Sequence, residues 1–309
     1  MKKVKSLLIP LYLWNFFYGI VQLVLRSIGF TIGEEVNIYN LLIAPINDGH
    51  QFSFNMGGWF IIPLFMVQIY NILLRRLLGR WIKEEWIYFI INLILGASGV
   101  YIASIGFHTG WWLVITRMLY FLPFYSLGIL YKNKLERWDK KVSNLWYFSV
   151  LFIMQGMIIF VNGKASSFLP SWCNNFDGNL FLPFIVGCTG IAFWFRIAAN
   201  LEPILGKSKL VNIVADNSYS IMINQFMGAM VVKTCFALIA RYTSFCADFN
   251  MALYKDTIWY EYYPEGFPQI KVLYVIMGFL VPIIMQQIVN WGNKIVKKKF
   301  SCYNVFNKI

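Results

Sequence analysis

The amino-acid sequence predicts an all-α membrane protein, a polytopic transmembrane helix bundle of about eight spans with both termini in the cytoplasm. One observation is composition: 59% of the 309 residues are hydrophobic and 13% are charged, with a mean hydropathy of +0.58. A soluble core of this size needs far fewer apolar side chains. The other observation is arrangement, since apolar runs of roughly 20 residues, enough for a helix to cross the hydrocarbon core, alternate with short loops.

The apolar runs place the spans in order along the chain. The first run is interrupted only by Arg26 and is too long for the core of a signal peptide, so we expect it to stay as a helix. The fourth carries a single charge, Arg117, and the polar stretch 216–220 leads into the seventh. The predicted spans cover residues 7–29, 58–74, 86–105, 111–130, 145–161, 180–195, the later part of 211–240, and 272–289.

Basic residues set the orientation of these spans. All but seven of the 27 lysines and arginines fall in five segments that the span order puts on one side of the membrane. Because cytoplasmic loops concentrate Lys and Arg, that side is predicted to be the cytoplasm. The net charge of +13 therefore reflects topology, with anionic lipid and not nucleic acid as the expected partner. The seven exceptions are Arg26, Arg117, Lys164, Lys233, Arg241, Lys255 and Lys271.

The rest of the sequence predicts a single transmembrane domain over residues 1–309. The five cysteines lack the CxxC spacing of a structural metal site, so no metal is expected. Cys173 and Cys246 both fall in predicted outer loops, where a disulfide between them is an open alternative to free thiols.

Three stretches resemble the acyltransferase-3 family of integral membrane acyltransferases. Residues 7–19, LLIPLYLWNFFYG, are similar to a family span in which basic residues precede an LLIP sequence and aromatics. Residues 58–78, GWFIIPLFMVQIYNILLRRLL, are similar to its helix that starts with WF and ends in basic residues. Residues 204–226, ILGKSKL followed later by NSYSIMINQF, are similar to its late helix. Arg117, Phe121 and Gly128 before a basic turn also fit.

The resemblance implies a function and a setting. Members of the family acylate sugars of surface polysaccharides and lipopolysaccharide in the bacterial plasma membrane, moving an acetyl group from cytoplasmic acetyl-CoA to a hydroxyl of a glycan or lipid-linked sugar near the outer face. The resemblance begins at the third of about ten family spans, so the histidine that members carry in their first span has no counterpart here. In the late helix, Asn224 and Gln225 stand where members often carry histidine. We therefore expect an upstream extension, a partner or second copy that supplies helices, or a changed or lost activity.

Arg117 is the leading candidate for binding substrate. An arginine in a span is costly, so it usually faces a wet cavity or a bundle interior and marks a functional path. The alternative is a packing role, paired with helix carbonyls. Arg26 and Lys233 lie nearer helix ends, where a long side chain can reach the interface. Trp59 is a candidate for stacking on a sugar ring, or an interfacial anchor.

The remaining candidates concern catalysis, the acceptor and the donor. Histidine is the side chain that titrates near neutral pH, so a histidine base must be His50 or His108, both predicted to lie outside. Asn217, Ser218, Tyr219 and Asn224 are candidates for bonding a sugar hydroxyl, while the first three could instead cap the seventh helix. Arg75, Arg76 and Arg80 could hold the phosphates of a CoA donor or serve topology alone.

One alternative belongs to another functional class. A transporter or flippase component for lipid-linked sugars would use buried cations to hold a pyrophosphate and would need no histidine. An inactive, truncated paralogue is a third alternative.

Overall fold

A computed structural model describes residues 4–176 and 178–306, with side chains as far as Ile295. The structure of the remaining residues is outside this description. Several charged residues and one cysteine of the predicted loops and termini therefore lie outside the described residues or the described side chains: Lys2, Lys3, Asp177, Lys297, Lys298, Lys299, Cys302 and Lys308.

Within the described chain, eight helices are long and apolar enough to cross a membrane, and no β-strand forms. The predicted all-α polytopic fold is confirmed, and each predicted span matches one helix. The spans are α1 (Val4–Ser27), α2 (Met56–Leu78), α3 (Glu85–Ser104), α4 (Gly110–Asp139), α5 (Asn144–Asn162), α6 (Leu182–Leu205), α7 (Ser218–Tyr242) and α8 (Pro268–Ile295). Shorter helices lie at Ile38–Leu42, Ala44–Asn47, Lys209–Asp216 and Met251–Asp256, and the last long helix continues to Phe306.

Three helices, α4, α6 and α8, extend well past their predicted ends. The sixth span was predicted to stop at residue 195, but α6 continues to Leu205 through Arg196, whose guanidinium lies 4.0 Å from the centre of the Tyr147 ring. Its Nη2 also donates to the Asp139 carbonyl at 2.9 Å. The charge therefore has partners and does not end the helix. The fourth span likewise continues to Asp139.

The described chain packs as two compact units. Unit 1 comprises residues 4–10, 45–48 and 59–204, and unit 2 comprises residues 11–44, 49–58 and 205–306. The predictions of a single domain over the chain and of cytoplasmic termini stay predictions.

Unit 1 has its core between α3, α4 and the loop that follows α5. Tyr120 of α4 lies at its centre, stacked on Phe176 of that loop at 5.7 Å between ring centres. By contrast, α5 contributes no buried residue, as expected for a helix that faces lipid on most sides. The buried members of this core are Ala97, Val100, Ala103, Leu113, Tyr120, Cys173, Phe176 and Phe184.

Unit 2 is built on α7, α8 and the part of α1 that follows Pro10. Gly228 of α7 lies against α8 so closely that a Cβ there would come within 2.2 Å of the Met277 carbonyl oxygen. Small residues allow this close approach between membrane helices. Most of the segment 30–58, whose residues 31–57 were predicted as an outer loop, folds back into the unit and buries four large side chains, Phe30, Ile32, Phe52 and Phe54.

Candidate functional site

Arg117 is almost completely buried in unit 1, with 1% of its surface exposed. It lies seven residues after the start of α4, about 10 Å along the helix. Its guanidinium donates from Nε to the Ser171 carbonyl at 2.8 Å and from Nη1 to the Asp48 carbonyl at 2.7 Å. Its Nη2 donates to Ser171 as well. These carbonyls offset part of the cost of a cation at this depth, and they tie two distant loops to α4.

Trp59 completes the surroundings of Arg117. Its ring centre lies 5.2 Å from the guanidinium carbon, within the range of a cation–π contact. The same ring stacks on Phe121 of α4 at 5.9 Å. The indole is therefore held by two neighbours, and only part of it is exposed. Sugar stacking by Trp59 and substrate binding by Arg117 both stay predictions.

His108 lies in the turn between α3 and α4. Its Nδ1 is 3.1 Å from the Ala103 carbonyl oxygen. Because a carbonyl oxygen can only accept, Nδ1 carries the proton in this contact, and Nε2 of the neutral ring is then the proton acceptor. The ring is only partly buried, so Nε2 meets the chemical requirement for a general base.

The basic cluster at the end of α2 divides into one paired and two exposed arginines. Arg75 donates from Nη1 to Oε1 of Glu85 at 3.0 Å and also binds Oε2 with Nη2. A bidentate pair of this kind uses most of the donor set of the guanidinium. Arg76 and Arg80 are exposed, so the predicted phosphate-binding role falls mainly to them.

Unit 2 contains a polar core that the sequence reasoning missed. Asn15, Tyr18 and Gln22 lie on one face of α1, at the spacing of three and then four residues that aligns side chains on a helix. All three are buried, with 0%, 0% and 1% of their surfaces exposed. Polar residues with this spacing inside an apolar span were a visible signal, because polar side chains in membrane helices usually face protein.

Asn15 joins this face to the folded segment 30–58. Its amide nitrogen donates to the carbonyls of Asn40 at 3.2 Å and Leu41 at 2.9 Å. Its Oδ1 accepts from Gln51, and from Asn55 at 3.0 Å. The segment is therefore attached to α1 by side-chain amides in the interior.

Tyr18 joins the same face to α7. Its hydroxyl donates to Oδ1 of Asn224 at 2.8 Å, and Nδ2 of Asn224 donates to the Ser220 hydroxyl at 3.0 Å. Ser220 in turn donates to the Pro282 carbonyl of α8 at 2.9 Å. Asn224, a predicted substrate residue, therefore lies inside this polar core with 0% of its surface exposed.

Three acceptor oxygens of the polar core have no hydrogen-bond partner among the described residues. They are Oε1 of Gln22, Oε1 of Gln51 and Oδ1 of Asn55, each in a residue that is at least 97% buried. A buried acceptor without a donor costs roughly 1–3 kcal/mol. A hydroxyl group can donate a hydrogen bond to an amide oxygen without bringing a charge into the interior.

The other predicted residues of unit 2 lie at different depths. His50 is buried, with 7% exposed, and its carbonyl accepts from the Ser53 amide at 3.0 Å. Asn217 lies just before α7, but its side chain donates to the Ile213 carbonyl at 2.7 Å and does not cap α7. The capping alternative is therefore wrong for Asn217. Ser218 is exposed and Tyr219 is partly buried.

Lys233 of α7 is more deeply buried than the sequence predicts. It was expected to extend towards the interface, but it is fully buried and its Nζ donates to the Ile258 carbonyl at 3.0 Å. Arg26 is partly exposed, with 30% of its side chain accessible, and donates to the Gly33 carbonyl at 2.8 Å. Lys233 therefore fastens the loop after α7 in the way that Arg117 fastens its loops.

The described cysteines form no disulfide. Cys173, Cys188, Cys235 and Cys246 are free thiols, so the alternative of a disulfide between Cys173 and Cys246 is wrong. No three His, Cys, Asp or Glu side chains of the described chain lie together in the way that a metal site requires.

Comparison with known proteins supplies the family. Residues 1–284 match the model of the acyltransferase domain of the acyltransferase-3 family. No curated protein and no solved structure gives a match. The matched region includes α1 to α7 and α8 as far as Ile284, and it contains every stretch on which the resemblance rested. This chain belongs to the acyltransferase-3 family and is a multi-pass membrane protein.

Proposed function

We propose that this membrane acyltransferase transfers an acetyl group from cytoplasmic acetyl-CoA to a hydroxyl of a cell-surface or lipid-linked glycan in a bacterial plasma membrane. The acceptor hydroxyl oxygen attacks the thioester carbonyl carbon, and the carbon–sulfur bond breaks. The hydroxyl proton passes to a general base and then to the departing thiolate. The products are the O-acetylated glycan and free CoA.

The observation that carries the proposal is the polar core of unit 2. It joins residues from two family-like stretches, Tyr18 and Asn224, in the interior. It also holds the three unpartnered acceptor oxygens of Gln22, Gln51 and Asn55. The sugar hydroxyls of a glycan are neutral hydrogen-bond donors, which suit these buried acceptor oxygens better than a charged group does.

Two histidines are the candidates for the general base. His108 has Nε2 as its proton acceptor when Nδ1 donates to Ala103. His50 directly precedes Gln51, a member of the polar core. Replacing each histidine with alanine separates the two assignments, since only the base should be essential.

Substrate contacts elsewhere complete the proposal. Arg76 and Arg80 are exposed at the end of α2 that is predicted to be cytoplasmic, where they suit the phosphates of CoA. Arg117 and Trp59 are proposed to influence acceptor binding by holding the loops that they contact in place. Asn217, Ser218 and Tyr219 are proposed as further hydroxyl contacts near the start of α7.

The transporter alternative needs buried cations that are available for a pyrophosphate. Both fully buried cations of the described spans already donate to backbone carbonyls, Arg117 to Asp48 and Ser171, and Lys233 to Ile258. No structural observation therefore favours it over acyl transfer.

The experiment is deletion of the gene followed by complementation. We expect loss of O-acetyl signals from the surface glycan in its NMR spectrum, with unchanged chain length, and recovery with the wild-type gene. The His50→Ala and His108→Ala genes should differ, one restoring acetylation and the other not. If the deletion instead removed the polymer from the surface and lipid-linked repeats accumulated, the chain would be a transporter component. Full acetylation with both alanine genes would eliminate the histidine base.

A further inference from the structure

Asn92 of α3 is a buried amide whose hydrogen-bonding groups are both unused. It lies in unit 1 with 0% of its surface exposed, and neither Nδ2 nor Oδ1 has a partner among the described residues. It is seven residues from the start of α3, about 10 Å into the span. Unsatisfied polar groups are strongly disfavoured where no water can reach them, so a ligand that bonded both atoms would remove this cost.

Two residues of α2 show the same feature at a similar depth. Asn71 is seven residues from the end of α2 at Leu78, with 4% of its surface exposed, and its Nδ2 has no partner among the described residues. Its Oδ1 accepts from Nε of Arg75 at 2.9 Å. One turn deeper, Oε1 of Gln68 is also buried and unpartnered. These groups are neutral and include both donors and acceptors.

The contacts of Arg75 link α2 to α3 one turn closer to the Leu78 end of α2 than Asn71. Its guanidinium carbon lies 4.6 Å from the centre of the Tyr88 ring of α3, and its nitrogens bind Glu85 of the same helix. Asn71 is one turn from Arg75, and Asn92 is one turn from Tyr88, each in the direction of the membrane centre. The unpartnered amides therefore lie on the sides of α2 and α3 that the Arg75 side chain links.

Helix α4 forms the third side. A side-chain contact pairs Glu85 with Asn133 at 3.2 Å, and close approaches pair Gly96 with Pro123 and Gly99 with Leu119. The same antiparallel register sets Asn92 opposite Ser126, which is 2% exposed. Its hydroxyl donates to carbonyls of its own helix and can still accept a hydrogen bond. We call Gln68, Asn71, Asn92 and Ser126 the amide strip.

Charge at the end of the strip restricts the ligand. Arg75 and Glu85 neutralise each other, so the interior offers only neutral donors and acceptors. Outside this pair lie Arg76, Arg80 and Lys83, which are exposed. A matching ligand has anionic groups at one end and an uncharged chain with amide groups at the other. An amide carries one donor and one acceptor, which are the complements of what Asn71, Asn92 and Gln68 leave unused.

We propose that the amide strip binds the amide-containing pantetheine arm of an acyl-CoA donor, with the phosphates held at Arg76 and Arg80. The assignment rests on the proposed function and locates its donor site. It also gives Arg75 and Glu85 a role as the paired entrance residues, so that Arg75 positions the helices and does not contact phosphate.

Cysteine accessibility tests the strip directly. In the full-length protein in inside-out membrane vesicles, the Asn92→Cys variant is treated with a membrane-impermeant methanethiosulfonate, and labelling at position 92 is quantified by peptide mass spectrometry. We expect labelling at Asn92→Cys and none at Val100→Cys, a matched buried site in the apolar core of the same helix. The thioether analogue acetonyl-CoA at ten times its dissociation constant should slow labelling about tenfold, because only the unbound fraction reacts.

A second variant guards against misfolding of the first. In Asn92→Leu, an amide without partners becomes a side chain that suits the apolar surroundings, so we expect the melting temperature to rise. The upward shift that acetonyl-CoA gives the wild-type protein should shrink by at least half. A lower melting temperature with an unchanged ligand shift would show that Asn92 has a structural role only, as would absent labelling in a folded Asn92→Cys protein. If the wild-type protein bound no acetonyl-CoA at all, the CoA donor of the proposed function would be wrong as well, whereas binding without effects at Asn92 would overturn the strip alone.

Discussion

Tyr18 donates a hydrogen bond of 2.8 Å to Asn224 across 206 positions of the chain. Both residues are fully buried, and they belong to the first and the late family-like stretches. The bond fixes α1 against α7 through a neutral pair, so it avoids the cost of burying charge. It also places Asn224, which stands where family members often have histidine, inside the polar core that we propose for acceptor binding.

A double-mutant cycle measures this bond. Tyr18→Phe removes the donor and leaves Oδ1 of Asn224 unpaired, and we expect a loss of about 1 kcal/mol, the size found for interhelical hydrogen bonds in membranes. Asn224→Leu in the Tyr18→Phe background should cost less than in the wild type, because the shared bond is already gone. The measurement is unfolding of the purified protein in detergent. Tyr12→Phe is the control, since its hydroxyl bonds the Leu42 carbonyl at an exposed position. Strict additivity would mean that the two side chains are not coupled.

The sequence predicted the spans well because a span is a local property. Apolar length and the alternation of basic loops both follow directly from the order of residues. Predicted boundaries failed where a charge has a partner, as Arg196 has in Tyr147 and Asp139. Hydropathy scores Arg196 as unfavourable within a span and has no means of detecting such a partner.

The polar core shows more clearly what a local sequence pattern does not predict. The spacing of Asn15, Tyr18 and Gln22 was readable in α1, but their partners lie in the segment 30–58 and in α7. Residues 31–57 of that segment were interpreted as an outer loop because they include acidic residues but no Lys or Arg. Its burial depends on Phe52 and Phe54 packing inside unit 2, which is a tertiary contact that no local pattern contains.

Orientation is open to a direct test. We expect reporter fusions after Lys83, Lys141 and Lys209 to report the cytoplasm, and fusions after His50, Lys164 and Asp256 to report the outside, since Lys and Arg are retained inside. Alkaline phosphatase and a cytoplasmic fluorescent protein give opposite signals for each site. An inner signal at His50 would reverse α1 and would remove the cytoplasmic side assigned to Arg76 and Arg80.

Cys173 provides a test of packing that depends on pH. Burial raises the pKa of its thiol from 9.0 to about 11, so the thiolate that reacts with iodoacetamide is scarce at pH 8. Labelling should increase about tenfold per pH unit from pH 8 to pH 10, whereas an ordinary thiol levels off above roughly pH 9. Because the folded-state pKa is raised, this group favours folding below pH 9 and loses that contribution as the pH rises towards 11.

The control for Cys173 is Ser167→Cys, an exposed position in the same loop. Its labelling should be fast at pH 8 and level off early. Equal rates at the two sites would show that the loop does not pack over α4 as described.

The last prediction concerns Arg117 and the two loops that it attaches to α4. Its guanidinium holds carbonyls 54 and 69 residues away, at Ser171 and Asp48, and lies beside Trp59. In Arg117→Gln, a shorter neutral amide cannot reach both loops, and at least one buried carbonyl loses its donor. Because hydrogen bonds to charged groups contribute about 1.5–3 kcal/mol, we expect a clear drop in melting temperature, faster proteolysis between α5 and α6, and loss of glycan acetylation.

Two further variants serve as controls for Arg117→Gln. Arg117→Lys keeps the positive charge and can still donate to one of the two carbonyls, so it should retain more stability than Arg117→Gln. Arg76→Gln is the matched control, since its exposed side chain should leave stability unchanged while weakening use of the donor. Unchanged stability with lost acetylation in Arg117→Gln would assign Arg117 to substrate binding alone, and lost stability with full acetylation would assign it to loop attachment alone.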